Sequence, residues 1–210
     1  MIFKAPKITG FRTTELPLPT VEQLQAGPCG IHRGTYGDVL EHFPELAAVI
    51  RCSPIPLLGD YEYDVKIHML FKGMYPCIPN WHCDNVPRGD DGKLDYSKVD
   101  PNADPMFLWV SGKPTTEFMG QGFQFEYAPK DHGDLDRHMK KDPLKDHNFA
   151  VPSQEWVQMD QLTPHRGTAA TEDCWRIFIR ATPKSIAPSR PVVSVVRRHA
   201  QVYLPHDFHW

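Results

Sequence analysis

No stretch of the 210-residue chain approaches the roughly eighteen consecutive apolar residues that a membrane-spanning helix requires. The opening MIFKAPKITG also lacks the apolar centre of an export signal, so a cytoplasmic protein with no membrane partner is expected. Cysteine is scarce. The five residues, at 29, 52, 77, 83 and 174, include no C-x-x-C pair, which argues against a zinc ribbon or a disulfide framework and for reduced thiols. A dominant charge is missing too: 23 Lys and Arg against 26 Asp and Glu leave a formal net charge of -3, no global field for duplex nucleic acid. The one locally basic stretch is RPVVSVVRRH, Arg190 to His199.

What is present is enough apolar sequence, 40% of residues, to bury one substantial core, with no internal repeat to divide it. The 21 prolines and 14 glycines suit many short strands joined by turns better than a helical bundle. One segment reads as helical: Thr35 to Arg51 places Val39, Leu40, Phe43, Leu46, Ala47 and Ile50 at helical spacing, with Pro44 expected to bend or divide it. YEYDVKIHMLF, ending at Phe71, alternates Val65, Ile67, Met69 and Phe71 against Lys66, His68 and Leu70, the period of a half-buried strand. MFLWVSG, GFQFEYA, EWVQMDQL and CWRIFIRAT are further strand-like runs, and the charged PKDHGDLDRHMKKDPLKDH between the second and third of these reads as a loop. The expectation is a mainly β sandwich or barrel with helix outside it.

The loop PNWHCDNVPRG, Pro79 to Gly89, holds His82 and Asp84 two residues apart. Alone the pair means little, and a second copy stands at His132 and Asp134. A 2-His-1-carboxylate metal site needs a third ligand from a distant strand, and LTPHRGT offers His165. Between His82 and His165 lie 83 positions, room for several strands, whereas His132 is only 33 positions from His165. His82, Asp84 and His165 are therefore the candidate metal ligands, with His132, Asp134 and His138 assigned to a solvated loop or, alternatively, a lid. In a small jellyroll barrel the ends of non-adjacent strands meet at the mouth, and Arg176, opening RIFIRAT, would point a cation into the same cavity.

His82-x-Asp84, His165 and Arg176 together resemble the H-x-D, H, R signature of the Fe(II)/2-oxoglutarate-dependent dioxygenases. The likeness spans roughly residues 63–182, and RIFIRAT is similar to the closing strand of taurine-dioxygenase-type enzymes. It implies a double-stranded β-helix (jellyroll, cupin-like) with one or two flanking N-terminal helices. Residues 1–62 would be the N-terminal flank, 63–182 the barrel core and 183–210 a C-terminal extension of a single domain. It further implies Fe(II) as cofactor, 2-oxoglutarate as cosubstrate held by Arg176, and Arg180 reaching either an acidic side chain or an anionic substrate group. The implied reaction is hydroxylation of a substrate with release of succinate and CO2. A small-molecule, amino-acid or peptide substrate is favoured by the acidic balance, with a nucleobase still open.

The neighbouring residues have plainer readings. His68 is a surface or cavity-lining residue, Cys83 packs away from the ligands, and Trp109 and Trp175 belong to the core. Trp81 is core or walls the substrate cavity. GQGF, at 120–123, is a turn and not a phosphate loop, since no helix follows it. Two other classes share these residues: a cupin-like metal enzyme that does not use 2-oxoglutarate, and a non-catalytic jellyroll binding or structural protein.

Overall fold

A computed structural model describes residues 1–26, 30–113, 116–141 and 147–187. In chain order its strands are β1 (Ile2–Phe3), β2 (Lys7–Arg12), β3 (Gly30–Gly34), β4 (Tyr61–Leu70), β5 (Met106–Val110), β6 (Thr116–Met119), β7 (Phe123–Gln124), β8 (Asn148–Ala150), β9 (Glu155–Met159), β10 (His165–Gly167) and β11 (Cys174–Pro183). The helices are α1 (Val21–Ala26), α2 (Tyr36–His42), α3 (Ala47–Arg51) and α4 (His132–Lys141). Six strands form one antiparallel sheet in the order β2-β9-β5-β11-β4-β3, and a smaller sheet has the order β10-β6-β8. The mainly β expectation with N-terminal helices holds. Among the described residues, however, the two sheets stay separate hydrogen-bonded units and no closed barrel is formed. No helix among these residues is long and apolar enough to cross a membrane.

Pro44 divides the helical segment as expected. Thr35 opens α2 with a reciprocal capping box to Asp38, and a 3-10 turn at Pro44–Leu46 separates α2 from α3. Val39, Phe43, Leu46, Val49 and Ile50 then bury themselves on Tyr63, Val65, Ile67, Ile177 and Ile179 of β4 and β11. This covers one face of the large sheet. The facing surface of β5 and β9, through Met106, Leu108, Val110, Val157 and Met159, packs with Phe118 of the small sheet and with Val151. The site described below lies between the two sheets, beside this second core.

Two readings of the sequence need correction. β4 is not half-exposed: Asp64, Lys66 and His68 are as buried as the apolar residues between them, while Phe71 falls beyond the strand and is 53% exposed. Its polar face looks toward the small sheet instead of water. The N-terminal flank carries strands beside its helices, since β2 and β3 supply both edges of the large sheet. The charged loop contains α4. Asp131 accepts the Asp134 amide at 2.7 Å to start that helix, and Leu135 and Met139, one turn apart, enter the core. The basic run Arg190–His199, with most of the C-terminal extension, lies outside the described residues.

Candidate metal centre

Two candidate ligands are brought together by backbone pairing. His82 and His165 exchange both amide-to-carbonyl hydrogen bonds at 3.0 Å, and Gly167 donates to the Ile78 carbonyl at 2.7 Å. The segment before Asp84 thus runs alongside β10. That approach needs Gly167: a Cβ there would sit 2.6 Å from the Cys77 carbonyl oxygen. The imidazole rings of His82 and His165 lie 4.4 Å apart between centroids. Just after Asp84 the chain turns through Asn85 at φ 55, a left-handed conformation that asparagine tolerates. Gln161 holds the Asn85 carbonyl, and the Asn85 amide donates to Thr182 at 3.3 Å. The turn leaves Asp84 Oδ2 3.3 Å from His165 Nε2.

The outcome is a compact group in which one ligand atom from each of His82, Asp84 and His165 lies within 4.8 Å of the others. Its donor chemistry suits a divalent first-row metal. His82 Nδ1 lies 2.8 Å from the Asn80 carbonyl, and His165 Nδ1 lies 3.1 Å from the Thr163 carbonyl. Carbonyls only accept, so each Nδ1 carries the proton and each Nε2 keeps its lone pair. Burial, reinforced by His165, pushes His82 down to about 3, so its ring is neutral near pH 7. For Asp84, burial acts to raise the pKa, but the Arg180 guanidinium overrides it and holds the carboxyl well below the ordinary range.

The two arginines of β11 share a face, as their spacing implies, while Ile177 and Ile179 pack against the helices. Their surroundings differ. Arg176 is 1% exposed; its Nη2 donates to Thr116 Oγ1 at 2.8 Å, its Nε has no hydrogen-bond partner, and no acidic side chain pairs with it among the described residues. Burial brings it down to about 10. Lys66 shares this face and donates to the Pro76 carbonyl at 2.9 Å; burial, with Arg176 adding to it, brings Lys66 down to about 8. His68, cross-strand from Arg176, is pushed down to about 2 by burial and by those two cations, and is neutral. Arg180 instead contacts Asp64 and Asp84 together. Of the two partners expected for it, the acidic side chain is the one present.

Trp81 is 1% exposed and sits in a cluster with Phe3, Tyr96 and Leu135, under the Arg166 guanidinium at 4.6 Å. It occupies the core rather than an open wall. Cys83 packs in the same cluster, as expected. Among the described residues the second H-x-D pair joins no group of converging ligand atoms, and Asp134 accepts from the Lys130 amide and from Arg137. His132 nevertheless stands near the centre, its ring 5.9 Å from that of His82 and its Nδ1 2.7 Å from the Tyr96 hydroxyl. Asp64, Lys66 and Thr116 were not singled out from sequence as site residues, and His132 was assigned to a loop or lid. The available signal was the polar alternation of β4, which reads equally well as a solvent face until β11 is placed beside it.

No family model matches the chain, and no curated relative does. Among solved structures it is similar to apo HygX from Streptomyces hygroscopicus, at 14% identity and a TM-score of 0.35, over 80% of this chain and 88% of that one. HygX with nickel and 2-oxoglutarate bound gives 14% and 0.34 over the same shares. An N-substituted L-amino acid dioxygenase in complex with alpha-KG from Burkholderia ambifaria AMMD gives 12% and 0.29, over 80% of this chain and 73% of that one. Superpositions this loose leave the function to be read from the site.

Proposed function

We propose that the chain is an Fe(II)/2-oxoglutarate-dependent dioxygenase that hydroxylates its substrate with release of succinate and CO2. The carrying observation is the buried group of His82, Asp84 and His165, with both histidine Nε2 atoms left available by backbone-held Nδ1 protons. Two imidazoles and one carboxylate are the facial set of non-haem iron oxygenases. The proposed fold is a double-stranded β-helix with its core at residues 63–182. Its support is the alternation of the chain between sheets: β4 in the large one, the His82 segment on β10, β5 large, β6 and β8 small, β9 large, β10 small, β11 large.

In this reading iron and 2-oxoglutarate together supply the power to oxidise a C–H bond. The protein's own residues do the rest. His82, Asp84 and His165 would hold the metal. Arg176, fixed by Thr116 and reinforced by Lys66, receives the distal carboxylate of 2-oxoglutarate, an anion that a buried guanidinium without an acidic partner requires. Phe118, 5.3 Å from the His165 ring, and the Trp81 cluster keep water from the ligands. The net charge of -3 favours a small-molecule, amino-acid or peptide substrate over a nucleobase.

The test is succinate formation by the Fe(II)-loaded protein given 2-oxoglutarate and air. Iron-dependent succinate, lost in Asp84→Ala with the circular dichroism unchanged, is the expected result. Iron binding without 2-oxoglutarate consumption would indicate a cupin-like enzyme of different chemistry. Failure to bind metal would leave a non-catalytic module.

A further inference from the structure

Asp84 belongs to no strand; it is carried on a loop, yet its carboxylate is tied to three neighbouring strands of the large sheet. Arg33 on β3, Asp64 on β4 and Arg180 on β11 are direct cross-strand partners in one row. Arg33 grips Asp64 with two hydrogen bonds, Nε to Oδ1 at 2.6 Å and Nη2 to Oδ2 at 2.9 Å. Arg180 then reaches Asp64 Oδ2 with Nε at 3.2 Å and also with Nη2, while its Nη1 contacts Asp84 Oδ2. The row alternates in sign from Arg33 to Asp84 and is neutral as a whole.

We infer that this row is a positioning device for the metal-binding carboxylate, with Asp64, which is no ligand, as its central residue. The inference rests on the metal reading given above. A carboxylate on a loop can bind through either oxygen or both. Arg180 holds Oδ2, the oxygen that also lies 3.3 Å from His165 Nε2, and so fixes how the Asp84 carboxylate meets a metal. A lone guanidinium beside a cation site would oppose metal entry, and the Asp64 carboxylate offsets it. Arg33 in turn fixes Asp64 by a fork that lysine could not reproduce. Arg180 is thereby engaged in orientation and not in gripping a substrate anion.

The experiment is a titration of the metal-free full chain with Co(II) alone, reading the visible ligand-field bands, beside the thermal melt of each metal-free variant. Wild type should bind, and Asp84→Ala should not. Asp64→Asn leaves an uncompensated cation near the centre and is expected to bind Co(II) about 10- to 100-fold more weakly, the usual effect of losing an outer partner of a metal ligand. Arg180→Lys keeps the charge, and so the field at the metal, but loses the fork that spans two carboxylates. It is expected to lose about tenfold in affinity with altered bands, and it serves if Asp64→Asn does not fold. Unchanged Co(II) affinity in either folded variant overturns the positioning role. Absence of binding by wild type would overturn the metal reading itself, a separate outcome.

Discussion

Arg176 and Arg180 stand four positions apart on one strand and one face, yet the protein treats them as opposites. Arg180 contacts two carboxylates, and although burial acts to lower its pKa, Asp84 and Asp64 together raise it above the ordinary arginine value. Arg176, more deeply buried, has one hydroxyl, an aromatic face 5.5 Å away and, among the described residues, no acid. The difference teaches that a row of like residues in a strand does not specify like roles; what matters is which neighbouring strand faces each. Asp64 faces Arg180 across β4, whereas His68 faces Arg176. Around Arg180 the strand is closed by the protein's own charges, whereas around Arg176 no acidic side chain pairs with the cation among the described residues.

The sharpest way to break this comparison is stability in the absence of any ligand. Arg180→Met leaves Asp84 and part of Asp64 unpaired and should cost about 3–5 kcal/mol in urea or thermal unfolding, the usual penalty for removing one partner of a buried pair. Arg176→Met removes a buried cation with no acidic partner, so the melting temperature should hold or rise. Equal losses from the two would show that Arg176 has a hidden counter-charge.

Cosubstrate binding should sort the same residues in the reverse order. Arg176→Ala is expected to weaken 2-oxoglutarate by roughly 2–5 kcal/mol, about thirty-fold to several thousand-fold, in calorimetry with the Fe(II)-loaded protein. If its affinity matches wild type, the roles of Arg176 and Arg180 must be exchanged or abandoned.

A pH series sharpens the role of Lys66. Burial lowers its pKa to about 8, so in the empty protein the ammonium is present below that value and lost above it. An anion that needs the ammonium should therefore bind evenly through neutral pH and more weakly as pH rises through about 8. Arg176, at about 10, stays charged over this window, and His68, at about 2, stays neutral. The buried Cys77 thiol, raised by burial, adds no charge there. In Lys66→Met the decline above about pH 8 should disappear; a persistent decline would assign it to another group.

The smallest expected effect is that of Thr116→Val. It removes the hydrogen bond that holds the Arg176 guanidinium while keeping the side-chain shape, and about 1 kcal/mol of 2-oxoglutarate affinity should go with it. No change would mean that packing alone positions Arg176.

The converging group was legible because metal chemistry restricts residue type: His82, Asp84 and His165 can be picked out by identity and order. The division of the helix at Pro44 was legible for a comparable reason, a ring that cannot sit inside a helix. What stood beside the ligands was not. Asp64 and Lys66 alternate with apolar residues, and only the pairing of β4 with β11 makes that face interior. α4 was hidden in a charged stretch whose inward face, Leu135, Asp136 and Met139, is itself part charged. Strand β10 is three residues long, too short for periodicity to mark, and its partner around His82 is a single bridge. The likeness to a jellyroll enzyme named an architecture, but sheet closure depends on long-range pairing that no local pattern records.

The central claim, one iron held by His82, Asp84 and His165 with 2-oxoglutarate anchored on Arg176, is tested most directly by an anaerobic titration with Fe(II) and then 2-oxoglutarate. The observable is the weak visible charge-transfer band of their chelate. The band should appear in the wild-type chain, be absent in Asp84→Ala, and in Arg176→Ala require far more 2-oxoglutarate. A correctly folded wild-type chain that binds Fe(II) and 2-oxoglutarate without the band, or binds neither, would contradict it.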